Sequence, residues 1–176
     1  YFLSNQDEIN ISEIHTSLEN GYITFAIGGH HNTKILPSEK IISICKKIDK
    51  NIILIGGKED WERGELISNS VGKNIFNTCG KLTINQSAYL VKNSEYIITH
   101  DTGMMHIAAA YKIKIISVWG NTVPDFGMSP YLPNVENKTI QVENLSCRPC
   151  SKIGFQNCPK GHFKCMNLID ENLFIE

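Results

Sequence analysis

The segment Thr99-His100-Asp101-Thr102-Gly103-Met104-Met105-His106 places two imidazoles, a carboxylate, hydroxyls and a glycine within eight consecutive residues. It lies between an apolar run, Tyr96–Thr99, and a helix-forming one, Ile107-Ala108-Ala109-Ala110. Thr102 and Gly103 therefore fall where a helix opens and its first backbone N–H groups have no partner inside the helix. Such amides point outward and form a seat for phosphate. Gly103 has no Cβ to hold an anion off the backbone, and His106, about one turn on, is placed to face the same anion. Asp101 does not suit a phosphate, because two negative groups repel. Its two acceptor oxygens suit the hydroxyls of a sugar. A blander reading stays open on residue types alone: Asp101 caps the helix and His106 is a half-buried histidine.

Three further loops carry comparable groups. Gly28-Gly29-His30-His31-Asn32-Thr33-Lys34 ends in a cation, and Lys34 suits phosphate as a point charge. The adjacent His30 and His31 have no third metal ligand at recognisable spacing. The loop is neither a Gly-x-Gly-x-x-Gly fingerprint nor a P-loop. Gly56-Gly57-Lys58-Glu59-Asp60 offers two carboxylates, Glu59 and Asp60, either for ribose or sugar hydroxyls or as ordinary charge at a helix N-terminus. Gly120-Asn121-Thr122 adds a backbone and hydroxyl contact for phosphate through Gly120 and Thr122.

The elements that must position these loops follow from periodicity. Strand-like runs occupy Tyr22–Ile27, Asn51–Ile55, Ile75–Thr78, Tyr96–Thr99, Ile115–Trp119 and Thr139–Val142. Between them lie helical patterns: Ile41, Ile42, Ile44, Cys45 and Ile48 after Pro37-Ser38; Trp61–Ser70; a capped segment from Thr83 and Gln86 through Val91; and Met104–Tyr111. Nearly continuous apolar strands alternating with helices imply a parallel sheet covered on both faces. The expected fold is an α/β, doubly wound, Rossmann-like parallel sheet. In such a sheet ligands bind outside the carboxyl ends of the strands, so all four loops should converge on one crevice. The expected organisation is a linker with a short helix over residues 1–20, the Rossmann-like domain over 21–145 and a Cys-rich tail over 146–176.

Composition excludes some partners. With 17 Lys plus Arg against 18 Asp plus Glu in 176 residues, no charge excess points to nucleic acid or an anionic membrane. The longest apolar runs, such as Ile52–Ile55, are strand-sized, so no transmembrane segment is expected. Residue 1 is Tyr, which suggests a processed product or an excised piece. Of the six cysteines, Cys45 and Cys79 read as small core residues. Cys147, Cys150, Cys158 and Cys165 crowd the tail. Their spacing admits a structural zinc site of four thiolates, or of three with His162. The alternatives are reduced thiols packed on the surface, or disulfides.

The string Asp101-Thr102-Gly103-Met104-Met105-His106-Ile107-Ala108 resembles the signature Asp-Ser/Thr-Gly-x-x-His-x-Ala of glycosyltransferase family 9, the heptosyltransferases. Lys34-x-x-Pro37, Gly56-Gly57 with the acids after it, Gly120-x-Thr122 with Pro124, and Pro130-Tyr131 are similar to the family's other segments. So is the tail Cys147-Arg-Pro-Cys150 with Cys158, His162 and Cys165-Met166. Two positions depart from it: Asn121 stands for the usual Pro, and Phe126–Ser129 differs from the common Arg-Thr-Gly stretch.

The resemblance implies the C-terminal half of a two-domain GT-B enzyme, the half that binds the nucleotide sugar, usually ADP-heptose. The acceptor half and its acidic general base would lie outside this chain, so no catalytic residue is expected here and the piece alone should be inactive. Lys34 and His106 would contact the diphosphate, supported by Thr102, Gly103, Gly120 and Thr122. Asp101 would hold the sugar, and Glu59 or Asp60 the ribose. The implied reaction is inverting transfer of heptose to the lipopolysaccharide inner core, without a catalytic divalent metal, in the cytoplasm at the inner face of the inner membrane. A non-catalytic nucleotide-binding module and a sugar-nucleotide epimerase of similar architecture are the rival readings.

Overall fold

The computed structural model describes residues 1–131 and 134–175. In chain order the elements are α1 (Ile11–Ile14), β1 (Ile23–Ala26), α2 (Ser38–Lys47), β2 (Ile52–Ile55), α3 (Trp61–Val71), β3 (Ile75–Asn77), α4 (Ile84–Lys92), β4 (Tyr96–His100), α5 (Gly103–Ala110), β5 (Lys114–Trp119), β6 (Lys138–Gln141) and α6 (Lys164–Asn167). The six strands form one sheet in the order β3-β2-β1-β4-β5-β6, every neighbouring pair parallel. The direction of winding reverses between β1 and β4, which leaves a crevice above their carboxyl ends.

Side-chain alternation into two cores explains why the central strands are largely apolar. Ile23, Phe25, Ile52, Leu54, Ile98, Ile116 and Val118 enter one core with Ile41, Ile44 and Cys45 of α2 and Ile67 of α3. The intervening Ala26, Ile53, Ile55, Ile97, Ile115 and Trp119 enter the other with Leu90 and Val91 of α4 and Met105 and Ala108 of α5. The capping box expected before α4 is formed: the Gln86 amide donates to Thr83 Oγ1 at 3.1 Å and the Thr83 amide to Gln86 Oε1 at 2.9 Å.

Two regions differ from the sequence-based expectation. The helix expected within the first 20 residues is broken into one-turn α1 and 3₁₀ turns over Asn5–Asp7 and Thr16–Asn20. Asn10 accepts from the Ser12 amide at 3.3 Å and His15 Nδ1 from the Ser17 amide at 3.2 Å, local bonds that compete with a continuous helix. Leu18, with Ile9, Ile11 and Ile14, nevertheless packs against the α4–α5 side of the sheet.

The second difference is the tail. No helix joins β5 to β6, only a 3₁₀ turn at Pro124–Phe126 among the described residues. The face that a helix would cover is filled by Met166, Ile169 and Phe174, which share a core with Ile116, Val118 and Ile140. Glu171 secures this segment to α2, accepting from Ser43 Oγ and lying 3.1 Å from Lys40 Nζ. Among the described residues no helix is long and apolar enough to cross a membrane.

Candidate functional site

The loops after β1, β4 and β5 meet over the switch point. A 3₁₀ turn over Asn32–Lys34 carries Lys34 back across the sheet, so that its Nζ lies 2.6 Å from Asp101 Oδ2. Thr122 Oγ1 donates to the same oxygen at 3.0 Å. The Lys34 and Asp101 side chains are only 12% and 5% exposed, so this is a nearly buried ion pair with a hydroxyl attached. Sequence reasoning assigns Lys34 to phosphate and Asp101 to sugar hydroxyls as separate groups. The structure joins them, and one Asp101 oxygen is already taken by protein donors.

Behind the pair stands a residue to which the sequence gives no role. His100 ends β4 facing the core and is wholly buried. Its Nε2 accepts from the Leu36 amide at 3.0 Å, while Arg63 Nη2 donates to the Leu36 carbonyl at 2.6 Å. The peptide two residues past Lys34 is thus gripped from both sides. Burial, reinforced by the Arg63 charge and opposed by the Gly28 backbone, pushes the imidazole down to about 3, and His100 is neutral. A histidine at the end of an apolar strand has no periodic signature that marks it as a brace.

Thr102, next to Asp101, and Gly103 line a cavity of about 440 Å³ bounded by the ends of β1 and β2 and the starts of α4 and α5, whereas Lys34, Asp101 and Thr122 do not line it. Its apolar wall comprises Ala26, Ile55, Leu82, Ile84 and Met104; its polar rim holds Gly28, Gly29, Glu59, Asp60, Thr102 and Gly103. Gly28 is required by space: a Cβ there would lie 2.1 Å from Asp60 Oδ2. Gly103, at the first turn of α5, faces open space, with nothing within 4 Å of an added Cβ, so the helix-end amides are accessible.

The two carboxylates of the β2 loop separate clearly. Asp60 is buried and its Oδ2 accepts from the Gly57 amide at 2.9 Å. Burial raises its pKa, against the opposing Gly57 hydrogen bond and the Arg63 charge. Glu59 is exposed at the cavity rim. Both line the cavity, Asp60 tied into the loop and Glu59 the more exposed of the two. His106 is exposed on α5 and does not line the cavity. Gly120 does not line it either; an added Cβ would meet Met166 Cε at 2.5 Å and the Thr33 carbonyl at 2.8 Å. Its glycine serves close packing between the loop and the tail.

The Cys-rich tail packs against the β1 and β5 loops. Phe155 accepts from the Thr33 amide at 3.1 Å and donates to Thr33 Oγ1 at 2.8 Å, and the Cys150 amide donates to the Asn121 carbonyl at 3.2 Å. All six cysteines are free thiols. Cys147 Sγ lies 3.8 Å from His162 Nε2. Even so, among the described residues no three His, Cys, Asp or Glu side chains are grouped to hold a metal ion. Cys147, Cys150, Cys158 and Cys165 lie near enough to act on one another electrostatically, but they are not drawn together as a set of metal ligands. Burial pushes the Cys165 thiol up to about 11.

Comparison with known proteins places this geometry. Residues 3–159 match the model of glycosyltransferase family 9 (heptosyltransferase). A lipooligosaccharide heptosyltransferase 2 of Campylobacter jejuni is 33% identical over 100 residues, covering 57% of this chain and 30% of the relative. The family 9 glycosyl transferase of Veillonella parvula superposes with a TM-score of 0.76 at 19% identity over 99% of this chain and 50% of its own. The ADP-heptose lps heptosyltransferase II of E. coli gives 0.63 at 19% identity, over 92% and 52%. The chain thus spans about half of those structures or less of the curated relative, with the doubly wound sheet of one half of a GT-B enzyme. On the match over most of its length, this chain belongs to glycosyltransferase family 9, the heptosyltransferases.

Proposed function

We propose that the chain is the donor-binding half of a heptosyltransferase and that the crevice between the β1, β2 and β4 loops receives the nucleotide of ADP-heptose. The observation that carries this is the convergence of three features: the Lys34–Asp101–Thr122 array, the open amides at the start of α5, and a cavity with one apolar wall. A flat base suits the wall of Ala26, Ile55, Leu82, Ile84 and Met104. Glu59 at the rim offers a carboxylate to the ribose diol. The diphosphate then lies at the Thr102–Gly103 amides, where helix-end dipoles favour negative charge, with His106 one turn further along.

Lys34 is the cation for the developing charge on the leaving diphosphate. Asp101 orients it in nearly dry surroundings, and a preorganised donor needs little rearrangement as charge develops. The acceptor hydroxyl attacks the anomeric carbon as the carbon–oxygen bond to ADP breaks, and its proton passes to a base supplied by the acceptor half. The lipopolysaccharide core acceptor and inverting transfer belong to the whole enzyme on this reading.

Calorimetric titration with ADP, UDP and NAD tests the proposal. ADP is expected to bind selectively, and Lys34→Ala to weaken it by about 1.5–3 kcal/mol, the usual worth of a charged hydrogen bond. UDP preference would move the donor to another nucleotide sugar. Equal ADP binding by wild type and Lys34→Ala would remove the assigned role of Lys34.

A further inference from the structure

The tail reaches the site chiefly through one side chain. Arg148 is half-buried beside the β5 loop, and its guanidinium meets four acceptors. Nε donates to the Gly120 carbonyl, and Nη2 to the Thr122 carbonyl at 2.9 Å and to Gln141 Oε1 at 2.7 Å. Nη1 donates to the Val142 carbonyl at 3.2 Å. Two of these acceptors flank Asn121 in the loop that presents Thr122; the other two belong to β6 and the residue after it. A planar fork with fixed donor directions can tie a loop to a strand edge in this way, whereas a single ammonium cannot.

The chain of contacts continues without a gap. Thr122, whose carbonyl Arg148 holds, donates its hydroxyl to Asp101 Oδ2 at 3.0 Å, and that oxygen lies 2.6 Å from Lys34 Nζ. Gly120, whose carbonyl Arg148 also holds, is packed against the Thr33 carbonyl beside Lys34. On the far side, the Phe155 backbone fixes Thr33. The loops on either side of the ion pair therefore take their positions from the same tail.

We infer that Arg148 is a positioning residue of the donor site: by fixing the Gly120–Thr122 loop it sets the hydroxyl that holds Asp101, and through Asp101 it sets Lys34. The inference rests on the donor-site reading for its ligand. It assigns to the tail a task in diphosphate recognition, not only the covering of a sheet face.

The test compares ADP with adenosine, which shares the base and ribose but lacks the phosphates that Lys34 addresses. Arg148→Met is expected to weaken ADP by roughly tenfold or more, the fold-change of one lost charged hydrogen bond, and to leave adenosine within about twofold. Thr122→Val should give a loss of similar size, and the double variant should lose no more than either single change, because both act on one chain of contacts. Arg148→Lys should not restore ADP binding.

Parallel loss of ADP and adenosine would reduce Arg148 to a general structural role and overturn the inference. So would wild-type ADP affinity in Arg148→Met, or losses that multiply in the double variant. If Arg148→Met does not fold, Arg148→Lys carries the same ADP–adenosine comparison. If wild type itself binds no ADP, the donor-site reading fails, and amide exchange without ligand decides on Arg148. Faster exchange in Arg148→Met around residues 119–123 and 33–36 would support positioning, and unchanged exchange there would refute it.

Discussion

His100 gives the sharpest quantitative prediction, because its burial ties folding to pH. The imidazole falls from its ordinary 6.5 to about 3 in the folded chain, through burial first and the Arg63 charge second. Once pH drops below 6.5, the unfolded chain binds a proton that the folded chain refuses, so stability must fall with pH. The contribution is fully present above 6.5 and is lost progressively as pH descends toward 3. Each pH unit inside that window costs about 1.4 kcal/mol, so between about pH 7.5 and 4.5 the loss from this one group approaches ~3 kcal/mol. Urea unfolding at several pH values, for wild type and His100→Gln, isolates it, since carboxylates and the other histidines titrate in both. His100→Gln keeps an acceptor for the Leu36 amide but cannot titrate. Its stability should start lower near neutrality and decline less steeply, by that same ~3 kcal/mol over the window. Parallel curves for the two proteins would refute the reasoning and place the acid sensitivity elsewhere.

Other changes separate binding from folding. Gly28→Ala puts a methyl 2.1 Å from Asp60 Oδ2; it should cost about 1–3 kcal/mol in denaturant titration as an overpacked site and abolish ADP binding in calorimetry. Glu59→Gln should leave the melting temperature unchanged while weakening ADP by roughly tenfold, whereas Asp60→Ala should lower stability by about 1–3 kcal/mol by leaving the Gly57 amide without its acceptor. The reverse pattern would exchange the roles of the two carboxylates. Phe174→Ala should cost about 3–5 kcal/mol in urea unfolding, because Phe174 is buried in the sheet's core, and an unchanged midpoint would show that the tail is not part of that core.

What the sequence makes legible, and what it hides, divides along physical lines. β1, β2, β4 and β5 appear as apolar runs because burial on both faces forces them to be apolar, while the edge strands β3 and β6 are partly exposed; the structure reproduces all six within a residue or two. The convergence of the β1, β4 and β5 loops follows from topology alone. Pairing within the site does not. Nothing in the spacing of Lys34 and Asp101, 67 positions apart, says that they meet at 2.6 Å. The choice between Glu59 and Asp60 was equally closed to spacing, since neighbouring acids differ only in which one turns inward to the Gly57 amide. His100 and Arg148 are hidden for another reason: both act on backbone carbonyls and amides, and backbone acceptors leave no trace in a sequence. Gly120 reads as a ligand contact for its neighbourhood, yet it is glycine because Met166 lies against it.

The pairing of Lys34 with Asp101 bears on how a site for a diphosphate is kept ready. A lone ammonium this deeply buried would lose several kcal/mol of hydration. A carboxylate at 2.6 Å offsets that loss and holds the cation where three loops meet. The same carboxylate would repel an incoming phosphate if it kept its full charge toward the cavity. Thr122 moderates this by donating to the same oxygen that faces Lys34, which directs that part of the negative charge toward protein donors. The approaching anion then meets the outward amides of Thr102 and Gly103 and the free side of the ammonium, which has three donors. On the proposed reading, Asp101 thus contributes to donor binding chiefly through Lys34. Asp101→Asn should accordingly weaken ADP itself, and not only the part of the donor that carries the sugar. If Asp101→Asn instead left ADP affinity intact and weakened only the intact nucleotide sugar, direct sugar contact would be the better account of this residue.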